Sequence, residues 1–219
     1  MVFASNYGAG VRAGLPLALP TCLVGVSFGA LAQSLGWGAP TAIVASIVVF
    51  SASAQFAVAT VLGSGGGGGA AVVAAVLVNA RYLPMGIAVA GSLRGGRLRA
   101  ALEAQAIVDA SWALANRGDG RFDRGVLIGA TLPQFAAWVG GTVAGVVAGS
   151  VITDLETFGL DVVIPAFFLV LLPAELRSRR AVAAAALAGA LALLLVPVVP
   201  AGLAVVAAST VAFIGLWTR

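Results

Sequence analysis

AAVVAAVLVNARYLPMGIAVAG, residues 70–91, is long and apolar enough to cross a bilayer, since about 20 helical residues span a hydrocarbon core of about 30 Å. Near its middle stand Asn79, Arg81 and Tyr82. An arginine near the centre of a lone spanning helix costs at least about 2.5–3.5 kcal/mol on insertion scales. Something must offset that cost: a carboxylate, backbone carbonyls, water or an anionic ligand. The rest of the chain is read here as the surroundings that make this arginine tolerable.

The chain has 219 residues, of which 61% are hydrophobic and 9% charged, and its mean hydropathy is +1.08. Soluble domains carry about 25% charged and about 45–50% apolar residues, so no ordinary water-facing surface can be built from this composition. The apolar runs are long and do not alternate as barrel strands would. The fold expected is all-α: one polytopic membrane helix bundle over residues 1–219, lodged in the lipid bilayer of the cell (plasma) membrane.

All 12 basic residues are arginines, and there is no histidine. A pI near 10.6 would suggest nucleic acid in a soluble protein. Here the arginines sit in short loops between apolar runs, where membrane topology accounts for them, and no nucleic-acid partner is expected. Without histidine there is no imidazole catalysis, no histidine proton relay and no histidine-ligated metal. Without lysine there is no serine–lysine dyad, and no HExxH occurs. Neither metal, cofactor nor enzymatic activity is expected. Cys22 has no second cysteine to pair with and reads as a small packing residue. The N-terminus, MVFASNYGAGVR, lacks a basic stretch ahead of an apolar core and does not read as a cleaved signal peptide.

Seven spans can be drawn, at about residues 11–35, 41–62, 70–91, 125–150, 160–176, 181–196 and 202–217. A weaker segment, 98–116, carries Glu103, Gln105 and Asp109 and is expected to be amphipathic or partly inserted. The arginines around residues 94–99, 117–124 and 177–180 belong in the cytoplasm. If 98–116 does not cross, this sets the N-terminus outside and the C-terminus inside, with Arg12 alone on the wrong side. Spans one to three then oppose spans four to six. Leu19-Pro20 and Leu132-Pro133 sit at similar depths in spans one and four. That is what a 3+3 inverted repeat would leave, and such repeats hold substrate near mid-depth where Pro and Gly break helices. Pro and Gly are also frequent in membrane helices without any repeat.

Few polar residues lie inside these spans. Ser51, Ser53 and Gln55 alternate in VVFSASAQF, so one helix face cannot hold all three. Either the helix unwinds there, or Ser51 and Gln55 share a face. They are candidates for hydroxyl and amide contacts to a substrate, or for close helix packing. Arg81 with Asn79 faces a carboxylate, either a substrate's or that of Asp109, unless Arg81 snorkels to an interface. Asp109 and Asp161 are the candidate proton or ammonium partners, and either is a plain solvated acid if exposed. Gln134 and Trp138, four residues apart, would line a cavity from span four. Pro165 breaks span five and frees carbonyls. The run GSGGGGG, residues 63–69, lacks the Gly-Lys-Ser/Thr ending of a phosphate loop and reads as a linker.

The runs VVFSASAQF (48–56), VLVNARYLPMG (76–86) and FGLDVVIPAFFLVLL (158–172), with the opening RAGLPLALPTCLVGVSFGALA (12–32), resemble the AzlC family of branched-chain amino acid permeases. The resemblance covers most of the chain and keeps the order and spacing of the motifs. It implies the large subunit of an exporter for branched-chain and related amino acids, acting with a small multispanning AzlD-type partner. Two positions depart from the family pattern. Tyr82 stands where histidine is common, and Ala110 follows Asp109 where glutamate is usual. Both remove titratable groups, which leaves Asp109 to carry any proton coupling.

A zwitterion needs a cationic or helix-N-terminal site for its carboxylate, an acid or carbonyls for its ammonium, and an apolar wall for its side chain. Arg81 with Asn79, Asp109 with span-five carbonyls, and Phe50, Phe56, Phe167 and Phe168 would supply these in turn. Two rival readings share the composition: a structural subunit whose partner holds the pathway, and a channel for small neutral solutes.

Overall fold

The computed structural model describes residues 6–93, 95–118, 120–149 and 179–199, with single positions between 169 and 176 and between 204 and 211. Helix α1 (Tyr7–Ser34) and helix α8 (Arg124–Gly149) are the two described helices long and apolar enough to cross a membrane. They pack through glycine, which lets backbones meet where the lipid offers no apolar driving force. A Cβ at Gly10 would meet the Val126 backbone, one at Gly14 the Ala130 backbone, and one at Gly149 that of Ala30. At Gly29 it would stand 2.2 Å from the Thr142 carbonyl oxygen, and at Gly145 2.0 Å from that of Val26. Residue numbers rise together on both sides of this seam, so α1 and α8 run parallel.

The expected second span is two helices, α2 (Ala39–Val48) and α3 (Ala52–Gly63). Helix α2 runs back along α8: Ser46 Oγ and Thr142 Oγ1 share a hydrogen bond of 2.8 Å, and Phe50 meets Phe135 edge-on at 5.0 Å. Phe50 has φ +38°, a left-handed value that a bulky residue adopts only when its surroundings impose it. The chain then reverses. Phe56 packs on Phe28, and a Cβ at Gly63 would stand 3.0 Å from the Leu35 side chain, just past the end of α1. Thus α2–α3 is a hairpin whose tip reaches mid-depth and whose two ends lie where α1 and α8 finish.

Helix α4 (Gly68–Asn79) follows α3 inward, bringing Asn79 beside Ser51. After Ala80 and Arg81 the path bends by 48° into α5 (Tyr82–Ala90). Val89 shares a buried cluster with Val126 and Leu127, at the end where α8 begins. Taken together, α4 and α5 are long and apolar enough to cross a membrane as one bent span.

Residues 98–116 form no single helix. Helix α6 (Arg97–Ala104) stays near the start of α8, with Glu103 bound to Arg124. The chain dips at Gln105–Val108, where Thr131 Oγ1 donates to the Ala106 carbonyl at 3.0 Å. Helix α7 (Asp109–Ala115) then returns to the same end, into a short β1 (Asn116–Gly118) and β2 (Arg121–Phe122) ladder. This second hairpin does not cross, and it enters from the end opposite to the first. Helix α9 (Arg179–Leu195) falls on the residues of the expected sixth span, and none of its described residues is buried.

Two expectations change. The second run, 41–62, turns back at its middle and does not traverse the molecule. The first and fourth spans run parallel, so they are not opposed halves of a 3+3 repeat. The physical reason is the glycine seam, which fixes the relative direction of α1 and α8, and the break at Phe50. Arg12, Arg97, Arg99, Arg117, Arg121 and Arg124 consequently lie toward one end of the molecule, and the linker 64–67 lies at the other. The expected fifth and seventh spans lie outside the described residues apart from single positions.

Candidate functional site

Three breaks meet at mid-depth: Val49–Ser51, Ala80–Arg81 and Gln105–Val108. A broken helix exposes backbone donors at one stub and acceptors at the other, each with its share of the helix dipole. Here the stubs of α2, α4 and α6 end, and those of α3, α5 and α7 begin, around one cavity of ≈220 Å³. Val49, Phe50 and Ser51 line it from the first tip, and Asn79, Tyr82 and Gly86 from the broken span. Ala104, Gln105, Ile107 and Val108 line it from the second tip.

Polar contacts tie the breaks together. Ser51 Oγ donates to Asn79 Oδ1 at 2.8 Å and caps α3 by accepting from the Ala54 N–H at 3.4 Å. Gln105 Nε2 donates to the Val48 carbonyl at 3.2 Å, joining tip to tip. Arg81 Nη2 reaches Asp109 Oδ2 at 3.0 Å, Ser53 Oγ at 3.0 Å and Tyr82 Oη at 3.3 Å. Its guanidinium carbon lies 5.1 Å from the Tyr82 ring centroid. The arginine's carboxylate partner is therefore Asp109, and it draws on all three breaks at once. Both side chains keep solvent access, at 39% for Arg81 and 56% for Asp109.

Of the candidate residues, Ser51 and Asn79 line the cavity, while Arg81, Ser53 and Asp109 form the network beside it. Gln55 is buried one turn beyond Ser51, and neither its amide oxygen nor its nitrogen has a partner among the described residues. Gln134 and Trp138 are placed elsewhere. Gln134 Nε2 donates to Ser111 Oγ at 3.0 Å and to the Ala130 carbonyl at 2.8 Å. Trp138 stacks on Phe28 with centroids 5.9 Å apart. They pack α8 against α7 and α1, with Trp138 Nε1 buried and without a hydrogen-bond partner among the described residues. Asp161, Pro165, Phe167 and Phe168 lie outside the described residues.

Reading the sequence alone misses Gly86 and the second tip. No Gly or Pro marks the break at Gln105-Ala106-Ile107-Val108, and its only signal is the drop in hydrophobicity around it. It also misses the anchor of the second hairpin. Glu103, 9% exposed, accepts from Arg99 Nε at 3.0 Å and from Arg124 Nε at 2.7 Å, and Arg124 also donates to Tyr7 Oη. Nearby, Asp123 caps α8 by accepting from the Val126 N–H at 3.0 Å. Burial works against the Asp123 carboxylate, but the Val126 and Gly125 N–H groups and the Arg117 guanidinium together hold its pKa below the ordinary value. Among the described residues no group of three or more Cys, Asp or Glu is placed to hold a metal ion.

Helices long and apolar enough to cross a membrane, packed beside a half-open cavity where three helix breaks meet, define a membrane protein of several helices. Residues 16–152 match the family model described as AzlC protein, and the chain belongs to the AzlC family. It is 31% identical over 195 residues to an uncharacterized membrane protein of Archaeoglobus fulgidus, covering 87% of this chain and 84% of the relative. It is 27% identical over 174 residues to the branched-chain amino acid transport protein AzlC of Bacillus subtilis, covering 76% of this chain and 68% of that protein. No solved structure matches.

Proposed function

We propose that this chain carries small apolar amino acids, branched-chain ones among them, across the plasma membrane, with the cavity between the hairpin tips as the substrate site. The observation that carries this is the meeting of three helix breaks around ≈220 Å³ of mid-depth space. A zwitterion is matched there without any dedicated ion pair of its own. The N-terminal stubs of α3 and α5 suit a carboxylate, and the carbonyl-rich ends of α2 and α4, with Asn79 and Gln105, suit an ammonium. The space, ≈220 Å³, has room for a small solute. The name of the Bacillus subtilis relative agrees with this class. Gln55 stands one turn from Ser51 with an unpaired amide that a solute could engage.

The two hairpins suggest how access alternates. One closes the cavity from the arginine end and the other from the opposite end, so an inverted relation holds between hairpins rather than between halves of three spans. Arginine distribution puts the arginine end in the cytoplasm. Arg12, on the wrong side under the seven-span reading, then falls with the others. Six crossings, namely α1, α4–α5, α8 and the segments near 160–176, 181–196 and 202–217, put both termini in the cytoplasm. Export, drawing on the proton gradient, and assembly with a small AzlD-type subunit complete the reading. No phosphate-loop motif offers a nucleotide as the energy source.

The test is flux in proteoliposomes, with and without a co-purified AzlD-type partner. Saturable valine counterflow supports the proposal. Wild-type protein that moves no amino acid in either preparation overturns it.

A further inference from the structure

We propose that Gly86 sets how large a substrate side chain the cavity accepts. This rests on the reading of the cavity as an amino-acid site.

The glycines of the α1–α8 seam have a packing reason: a Cβ at any of them would collide with backbone, as at Gly145, 2.0 Å from the Val26 carbonyl oxygen. Gly86 has none, because a Cβ there would meet nothing within 4 Å. It also has no conformational reason, being in the interior of the nine-residue helix α5 with no positive φ. A glycine in a helix interior costs about 0.5–1 kcal/mol relative to alanine. What distinguishes Gly86 is its position, because it lines the cavity. It follows Tyr82, also cavity-lining, by four residues and precedes buried Val89 by three, so all three share the inward face of α5.

Its neighbours define which part of a solute it meets. Four residues of helix rise put Gly86 about 6 Å along α5 from Tyr82, on the side away from the Ser51–Asn79 hydrogen bond. The cavity walls contributed by the second tip include Ala104, Ile107 and Val108. The polar groups at Ser51 and Asn79 suit the charged end of a zwitterion, and the space left by the missing Cβ at Gly86 suits its apolar branch.

The experiment compares leucine and alanine counterflow in proteoliposomes of wild type, Gly86→Ala and Gly86→Val. Each added carbon removes room that leucine uses and alanine does not. One methylene in an apolar pocket is worth about 10-fold or more in discrimination. The leucine-to-alanine flux ratio is expected to fall about tenfold in Gly86→Ala and further in Gly86→Val. If Gly86→Val loses both fluxes, Gly86→Ala decides, since a helix interior accepts alanine. A ratio unchanged in Gly86→Ala, with wild type moving both substrates, overturns the role of Gly86 and leaves the amino-acid reading intact. A wild type that moves neither substrate overturns both.

Discussion

Arg81 and Asp109, 28 residues apart in sequence, form an ion pair of 3.0 Å between two helix breaks, Arg81 between α4 and α5 and Asp109 at the start of α7. The pair joins the bent α4–α5 segment to the hairpin of α6 and α7. Neither partner alone belongs comfortably at mid-depth. Together with Ser53 and Tyr82 they offset that cost.

The pair therefore acts as a unit. Arg81→Ala and Asp109→Asn should each lower valine flux in proteoliposomes by at least about tenfold. The double variant should lose little more than either single one, because the second change finds its partner already gone. Additive losses would mean that the two residues act separately.

The chain directions predict which ends face which compartment. In a Cys22→Ala background, single cysteines at Gly8 and Arg121 should be labelled by an impermeant maleimide only from the cytoplasmic side. A cysteine at Gly66 should be labelled only from outside. Labelling of Gly8→Cys from outside would restore the seven-span topology and contradict the hairpin.

Much of this was legible in the residues, and the part that was not has a physical cause. The apolar runs of α1, α8 and α9 show as helices because length and composition suffice. Arg81 and Asn79 mark the broken span, since a polar pair at mid-run needs partners. Ser51, Ser53 and Gln55 alternate as they do because the helix stops before Ser51. Direction was the part hidden. A mostly apolar run of 22 residues, 41–62, has the same hydropathy whether it crosses or doubles back. The choice is made by Ser46 against Thr142 and Gly63 against Leu35, contacts that no local pattern encodes. The misplaced Arg12 was the one sign of it. The contacts of Gln134 with Ser111 and of Trp138 with Phe28 likewise lie far apart in sequence and leave no local mark.

Glu103 and Arg124 anchor the second hairpin to α8 with side-chain exposures of only 9% and 15%. Removing one partner of such a pair leaves a buried charge, at about 3–5 kcal/mol. Glu103→Ala should lower the thermal midpoint in detergent well beyond the effect of an exposed change such as Arg97→Ala. Pairing it with Arg124→Met should recover part of the loss.

Asp123 gives the fold a pH dependence of known sign. Its folded-state pKa lies below the usual 3.8. The stabilisation it contributes is therefore present above the unfolded value and is lost as pH falls through the folded one. The thermal midpoint of wild type should exceed that of Asp123→Asn at pH 7, and the gap should close below about pH 3.8. A gap that is constant across this range would separate the carboxylate's charge from its capping role.

Substrate protection at the second hairpin tip tests the cavity most directly. In Cys22→Ala protein carrying Val108→Cys and still moving valine, alkylation by a small maleimide should slow severalfold with saturating valine and stay unchanged with glutamate. An alkylation rate indifferent to valine would place the substrate site elsewhere.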